Sequence, residues 1–155
     1  RQLKVSMMPA KPHIGFFVER HFLKDLSFEN PAGPVSMEET PTVNVQVGGN
    51  VLSRSSDGKD SYVVETTLTI TCRYSQYTCF ICELTYVADV LLKNIPEPVR
   101  EQTLGVDVPK FLIAHINDVI DHAGRAGGLP GLKVEKIDFL KLNKLATARR
   151  AAASH

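Results

Sequence analysis

The 155 residues carry 18 lysines and arginines against 17 aspartates and glutamates. A balance that close leaves no electrostatic footprint for nucleic acid, and no apolar run approaches the roughly 20 residues a membrane helix needs. The length is enough to bury one real core, and 43% hydrophobic residues with no Trp is the composition of one soluble globular domain.

Residues 1–13 are polar, Met-rich and punctuated by proline, and are expected to be a flexible lead-in. The longest apolar run near the start, Phe16-Phe17-Val18, is too short for a signal-peptide core, so export of the chain itself is not expected. A single domain is expected over 14–150, followed by a frayed tail at 151–155. Within it the first element is a strand from Ile14 to Glu29. Its second half alternates, with Phe22, Lys24, Leu26 and Phe28 on one face and His21, Leu23, Asp25, Ser27 and Glu29 on the other. Asn30-Pro31-Ala32-Gly33-Pro34 stops it.

A second strand starts near Val43, with Val43, Val45 and Val47 on one side; Gly48-Gly49 is expected to bulge it before Val51 and Leu52. A turn follows around Asp57-Gly58. Tyr62 to Arg73 then sets Val64, Thr66, Leu68, Ile70 and Cys72 against Val63, Glu65, Thr67, Thr69 and Thr71. After a short polar break, Phe80, Cys82, Leu84 and Tyr86 alternate with Cys79, Ile81, Glu83 and Thr85, which makes a hairpin. Beyond Tyr86 the alternation decays. Cys79 and Cys82 form a CxxC, but strand residues three apart point to opposite faces. The three cysteines are therefore expected to be small, buried, reduced thiols.

Helical periods take over after the sheet. Pro98 to Leu104 reads as a short helix. Asp107 is an expected N-cap and Pro109 an expected first-turn residue of a longer one, ended by Gly127-Gly128 and Pro130. Leu112, Ile116, Val119 and Ile120 keep helical spacing, and Phe111 and Ile113 widen the apolar arc. A helix apolar on two sides needs two covers, so those four residues are the candidate oligomer interface. Asp138 caps an expected last helix with Phe139 and Leu142 on its apolar face. The fold class is α+β: a four-stranded, mainly antiparallel sheet, a long helix and a C-terminal helix.

Two polar constellations stand out. His115, Asp118 and His122 share a helix face and with a further ligand could hold zinc, which supports a small-ligand or zinc-dependent enzyme as a minor reading; an ordinary polar seam is the commoner outcome. There is no phosphate loop and no nucleophile elbow, and no catalytic residue or cofactor is expected. The other constellation is on the sheet. If the first and last strands are neighbours, Asp25 and Glu29 join Ile81 and Glu83 in one exposed acidic patch suited to a small basic partner; a plain solvated face is the alternative.

Lys24-Asp25-Leu26-Ser27-Phe28-Glu29-Asn30-Pro31 resembles the first-strand signature of the SecB protein-export chaperone family. Cys79-Phe80-Ile81-Cys82-Glu83-Leu84-Thr85-Tyr86 resembles that family's fourth strand. Leu104 through Gly127-Gly128-Leu129-Pro130-Gly131-Leu132 resembles its long helix and following turn, and Ile137-Asp138-Phe139 the start of its final helix. The resemblance spans roughly His21 to Leu145. It implies a bacterial cytoplasmic holding chaperone, assembled as a homotetramer that is a dimer of dimers. Such a chaperone keeps precursor proteins unfolded and passes them to the SecA export motor. The positions matching the motor-contacting patch are Asp25, Glu29, Ile81 and Glu83, and the motor's segment in this family is short, basic and zinc-binding. The positions matching the apolar client grooves are Val43, Val45, Val47, Phe139 and Leu142. A SecB-like chaperone devoted to one client, such as an antitoxin, is the alternative. The chain departs from the family at several points, a basic rather than acidic tail among them. Ile113-Ala114-His115-Ile116-Asn117 stands where a Phe-Pro-aromatic run and an Arg are usual. The overall charge is near neutral rather than acidic. Asn143 and Lys144 replace bulkier apolar groups.

Overall fold

A computed structural model describes residues 15–33, 42–54, 60–74 and 77–129. Four antiparallel strands form one sheet: β1 (Gly15–Glu29), β2 (Thr42–Arg54), β3 (Ser61–Tyr74) and β4 (Tyr77–Lys93), in the spatial order β1-β4-β3-β2. The β3–β4 hairpin is the centre, as its β-branched alternation predicts. β2 and β1 flank it, so the first and last strands are neighbours. The expected turn at Asp57-Gly58, the lead-in 1–13, the helix from Asp138 and the tail 151–155 lie outside the described residues.

One face of the hairpin is the core. Val64, Leu68, Ile70, Cys72, Phe80, Leu84 and Val90 are buried together with the helix that follows. β4 does not stop near Tyr86 but runs to Lys93. Val87, Ala88, Asp89 and Val90 are all buried in succession, so a strand covered on both faces loses the alternation that would have marked it.

Irregularities fall where glycine did not announce them. The β2–β3 ladder passes Gly48↔Thr67 and Gly49↔Thr66 without a break, so the expected bulge is absent. Gly49 serves close approach instead: a Cβ there would lie 3.0 Å from the Glu65 carbonyl oxygen. The bulges are in β1, between Val18 and Arg20 and between Leu23 and Asp25. Each adds one residue without a partner and so resets which side chains share a face. As a result His21 and Leu23 leave the face of Asp25, Ser27 and Glu29, pairing with Ala88 and Tyr86. Phe22 pairs with Val87 on the outer side. A third irregularity, at Cys72/Arg73, leaves Cys79 as the extra residue of β4 and buries it. All three cysteines are free and buried, but the strict parity expected for Cys79 does not hold.

The helical part is continuous. α1 (Glu97–Gln102) passes through a π-helical turn (Thr103–Asp107) into α2 (Val108–Ala126). Asp107 is therefore not a cap; its φ of −68° and ψ of −41° are helical and its side chain makes no capping bond. Pro109 explains the wide turn. A proline lacks the N–H that would reach back four residues, and a π-turn absorbs that defect without ending the helix. Leu104, Val108, Leu112, Ile116 and Ile120 recur every four residues and form the stripe packed on the sheet.

Both ends of this helical arm are tied down. At the start, Arg100 Nη2 lies 2.8 Å from Asp60 Oδ2, and the Tyr62 hydroxyl donates to Asp60 Oδ1 at 2.9 Å. At the end, Asn30 Nδ2 donates to the Gly127 carbonyl at 2.8 Å. A Cβ on Gly127 would sit 2.7 Å from Phe28 Cε1, so only glycine lets the helix end rest on β1. Gly128, at φ +78°, then turns the chain.

Candidate functional site

The ladder sets the acidic patch residue by residue. Glu29 pairs with Ile81, which pairs with Thr71; Ser27 pairs with Glu83, which pairs with Thr69; Asp25 pairs with Thr85, which pairs with Thr67. Paired residues share a face, so Asp25, Glu29, Ile81 and Glu83 lie together on the side of the sheet opposite α2. The bulge at Lys24 lies just before Asp25 and leaves this register intact. Asp25, Glu29 and Glu83 are exposed and Ile81 is half-buried. With strands about 4.8 Å apart and about 3.4 Å per residue, the three carboxylates span roughly 5 by 13 Å. None of them forms an ion pair among the described residues, whose salt bridges lie elsewhere. Around them the face is threonine: Thr67 and Thr85 place their hydroxyls 3.4 Å apart. Burial, and after it the Glu83 charge, pushes the Cys82 thiol up from its ordinary value on the other side of the same strand.

The inner face carries the apolar set. Val43, Val45 and Val47 pair with Cys72, Ile70 and Leu68 and so line the core side of edge strand β2. Val45 and Val47 are half-buried against the core, while Val43 is 50% exposed. Phe139 and Leu142 lie outside the described residues. Leu23, Leu26 and Val51, not among the expected client-binding residues, pair with Tyr86, Leu84 and Val64 and leave further apolar surface exposed at both rims of the same face. Leu26 was legible by parity. Leu23 was not, because only the bulge brings it round.

On α2, Leu112, Ile116 and Ile120 are sequestered in the chain's own core, and Val119 is half-buried against it. These three offer no surface to a second copy; the exposed side of α2 is carried by Phe111, Ala114, Asp118 and His122. His115 does not converge with Asp118 and His122. It packs on His21 of β1 with ring centroids 4.2 Å apart, and His21 Nδ1 lies 2.6 Å from the Tyr86 hydroxyl. Among the described residues no three His, Cys, Asp or Glu side chains gather in a metal-holding arrangement. Burial, then the Asp118 charge, pushes the Tyr86 phenol up. The sequence reading passed over His21, whose parity pointed away from the helix.

Residues 9–150 match the family model described as preprotein translocase subunit SecB. The chain belongs to the SecB family. SecB proteins are chaperones rather than enzymes. The chain is 31% identical to the protein-export protein SecB of Maricaulis maris over 136 residues, 86% of this chain and 77% of that protein. It is likewise 31% identical to the Cereibacter sphaeroides protein-export protein SecB over 150 residues, 93% and 89% of the two chains. Among solved structures it is similar to the Mycobacterium tuberculosis Rv1957 SecB-like chaperone, determined with a ChAD peptide from the Rv1956 HigA1 antitoxin. The TM-score is 0.65 at 11% identity, covering 79% of this chain and 91% of that one, which is a likeness of fold. No described helix is long and apolar enough to cross a membrane.

Proposed function

We propose that this SecB-family chain is a holding chaperone of the bacterial cytoplasm that binds unfolded precursor proteins and delivers them to the SecA export motor. The observation that carries this reading is the two-faced sheet. One face bears Asp25, Glu29 and Glu83 in solvent with half-buried Ile81 in register beside them; the other is apolar and incompletely covered at its rims. Exposed carboxylates with no ion-pair partner among the described residues suit a short basic segment of a motor, setting its on-rate and orientation. The rim at Val43, Val45 and Val47 suits extended apolar segments of a client, and the family resemblance adds Phe139 and Leu142 to the proposed client-binding set. There affinity accumulates at about 25 cal/mol per Å² of apolar burial before ordering costs. Assembly is as a dimer of dimers. With Leu112, Ile116 and Ile120 committed inward, sister chains meet through the Phe111 and Val119 flanks of α2. The fold shared with the mycobacterial chaperone does not bring its antitoxin peptide to this chain, and the exposed acidic patch favours motor delivery over a single dedicated client.

Three variants separate the faces. Glu83→Lys is expected to weaken binding of the motor's basic segment while suppression of client aggregation stays intact, and Asp25→Lys to do the same. Val45→Asp is expected to do the reverse. Motor affinity unchanged in both lysine variants would remove the docking role, and undiminished suppression by Val45→Asp would remove the groove. A solution mass of four chains that persists with an unfolded client bound is the expected assembly result.

A further inference from the structure

The outer face is not acidic along its whole length. Lys24 Nζ, 2.7 Å from Glu65 Oε1, marks a boundary across it. Beyond that pair the same face carries Phe17, Arg20 and Phe22 of β1, Val87, Asp89, Leu91 and Lys93 of β4, and Leu52 and Arg54 of β2; the register brings them to one side. Phe17, Phe22 and Leu52 are 37%, 43% and 49% exposed. Lys93 Nζ stands 5.0 Å from the centre of the Phe17 ring and the Arg20 guanidinium 5.8 Å from that of Phe22. Asp89, buried in the sheet, is shared by Arg20, whose Nε donates to Oδ2, and by Arg54, whose Nη2 is 3.3 Å from Oδ1. Both arginines nevertheless keep more than half of their side-chain surface in solvent, at 66% and 52%. Even with Glu19, the residue left over at the adjacent bulge, three cations face two carboxylates among the described residues, and one of those, Asp89, is enclosed.

We propose that this aromatic and cationic half of the outer face is a second binding surface for extended polypeptide, selective for apolar segments flanked by aspartate or glutamate. Exposed aromatics with arginine beside them are the composition of binding hot spots. The charge excess decides the flanks: the two arginines are oriented by Asp89 yet have donors to spare, and Lys93 pairs with a ring rather than with an acid. Three cations on a flat sheet fall short of the clusters of about 4–8 that hold a protein to an anionic membrane surface. The inference rests on the client-holding reading and assigns it a substrate class. It differs from the acidic half in sign and so in what it accepts.

The test uses the full chain and two short fluorescein-labelled peptides with the same phenylalanine-leucine centre, one flanked by aspartates and one by lysines. Fluorescence anisotropy is expected to show the aspartate peptide binding about threefold tighter, the worth of one or two exposed ion pairs. Lys93→Glu leaves the Arg20–Asp89–Arg54 cluster untouched and is expected to erase that preference. Phe22→Ser is expected to weaken both peptides about tenfold, as loss of an aromatic anchor does. Equal affinity for the two peptides, or affinities that neither variant moves, overturns the inference. So does binding to phosphatidylglycerol vesicles that Lys93→Glu abolishes while peptide binding persists. A solution mass that falls in Phe22→Ser also overturns it, because the surface is then an interface between copies. If Val45→Asp abolishes holding while Phe22→Ser and Lys93→Glu leave holding and both peptide affinities as they were, the second surface fails and the chaperone reading stands. Absence of holding in the unmodified chain sinks both.

Discussion

At the scale of single residues, burial decides the chemistry. The Cys72 thiol is pushed up from 9.0 to about 11, first by burial and then by Cys79 beside it. A raised value in the fold means that the folded chain keeps a proton that the unfolded chain gives up sooner. This contribution is complete below pH 9 and is lost as the pH rises towards 11. Urea midpoints are therefore expected to fall over that window, and to fall less steeply in Cys72→Ala. Tyr62 and Tyr86 are raised in the same direction, mainly by burial, and add to the slope that remains. Leu112 shows the other side of burial. It is wholly enclosed between α2 and the sheet, so Leu112→Ala is expected to cost about 2–5 kcal/mol in chemical denaturation. A cost below about 1 kcal/mol would mean that α2 is not held by this stripe.

At the scale of elements, the sequence was legible where a period ran undisturbed. The alternation of β3 named Val64, Leu68, Ile70 and Cys72 as core, and the spacing of α2 named Leu112, Ile116 and Ile120; all are buried. Parity grouped Asp25 with Glu29 and Ile81 with Glu83, and the pairing of β1 with β4 brings the two groups to one face. Three kinds of feature hid from that reasoning. A bulge changes parity without changing composition, which is why His21 and Phe22 were put on the wrong sides. A doubly covered strand has no alternation to read, which is why β4 looked too short. A π-turn looks, in sequence, like a helix stop followed by a cap, and Asp107 was taken for one. The bulge has a measurable consequence. Lys24 is the residue without a β4 partner, so deleting it leaves Leu23 opposite Tyr86 and Asp25 opposite Thr85. That deletion is expected to cost only what its exposed pair with Glu65 is worth, roughly 0–1 kcal/mol, whereas deleting Ser27 turns one arm of β1 over. Equal losses of thermal stability in the two deletions would contradict the assigned register.

At the scale of the whole molecule, one sheet separates three surfaces: an acidic half, an aromatic and cationic half, and an apolar inner side roofed by α2. Proposed motor docking, being electrostatic and exposed, is expected to weaken steeply between low salt and about 0.15 M, where screening acts over about 8 Å. Proposed client holding on the inner side, being apolar, is expected to change little over the same range. Aggregation-suppression and motor-binding assays run in parallel salt series check this, and parallel loss of both would mean that the two functions do not occupy separate faces.

The strand order also governs how this molecule is made. Of the described strands β1 is synthesised before the others, yet its partner is β4, the last of them to be translated. At about 5–20 residues per second, the ribosome needs several seconds to deliver the chain between them. The β3–β4 hairpin closes locally, whereas β1 must close a loop as long as that between Arg20 and Asp89. Until then the nascent chain carries the β1 segment without its partner strand, so this chaperone passes through the unprotected state from which its family shields others.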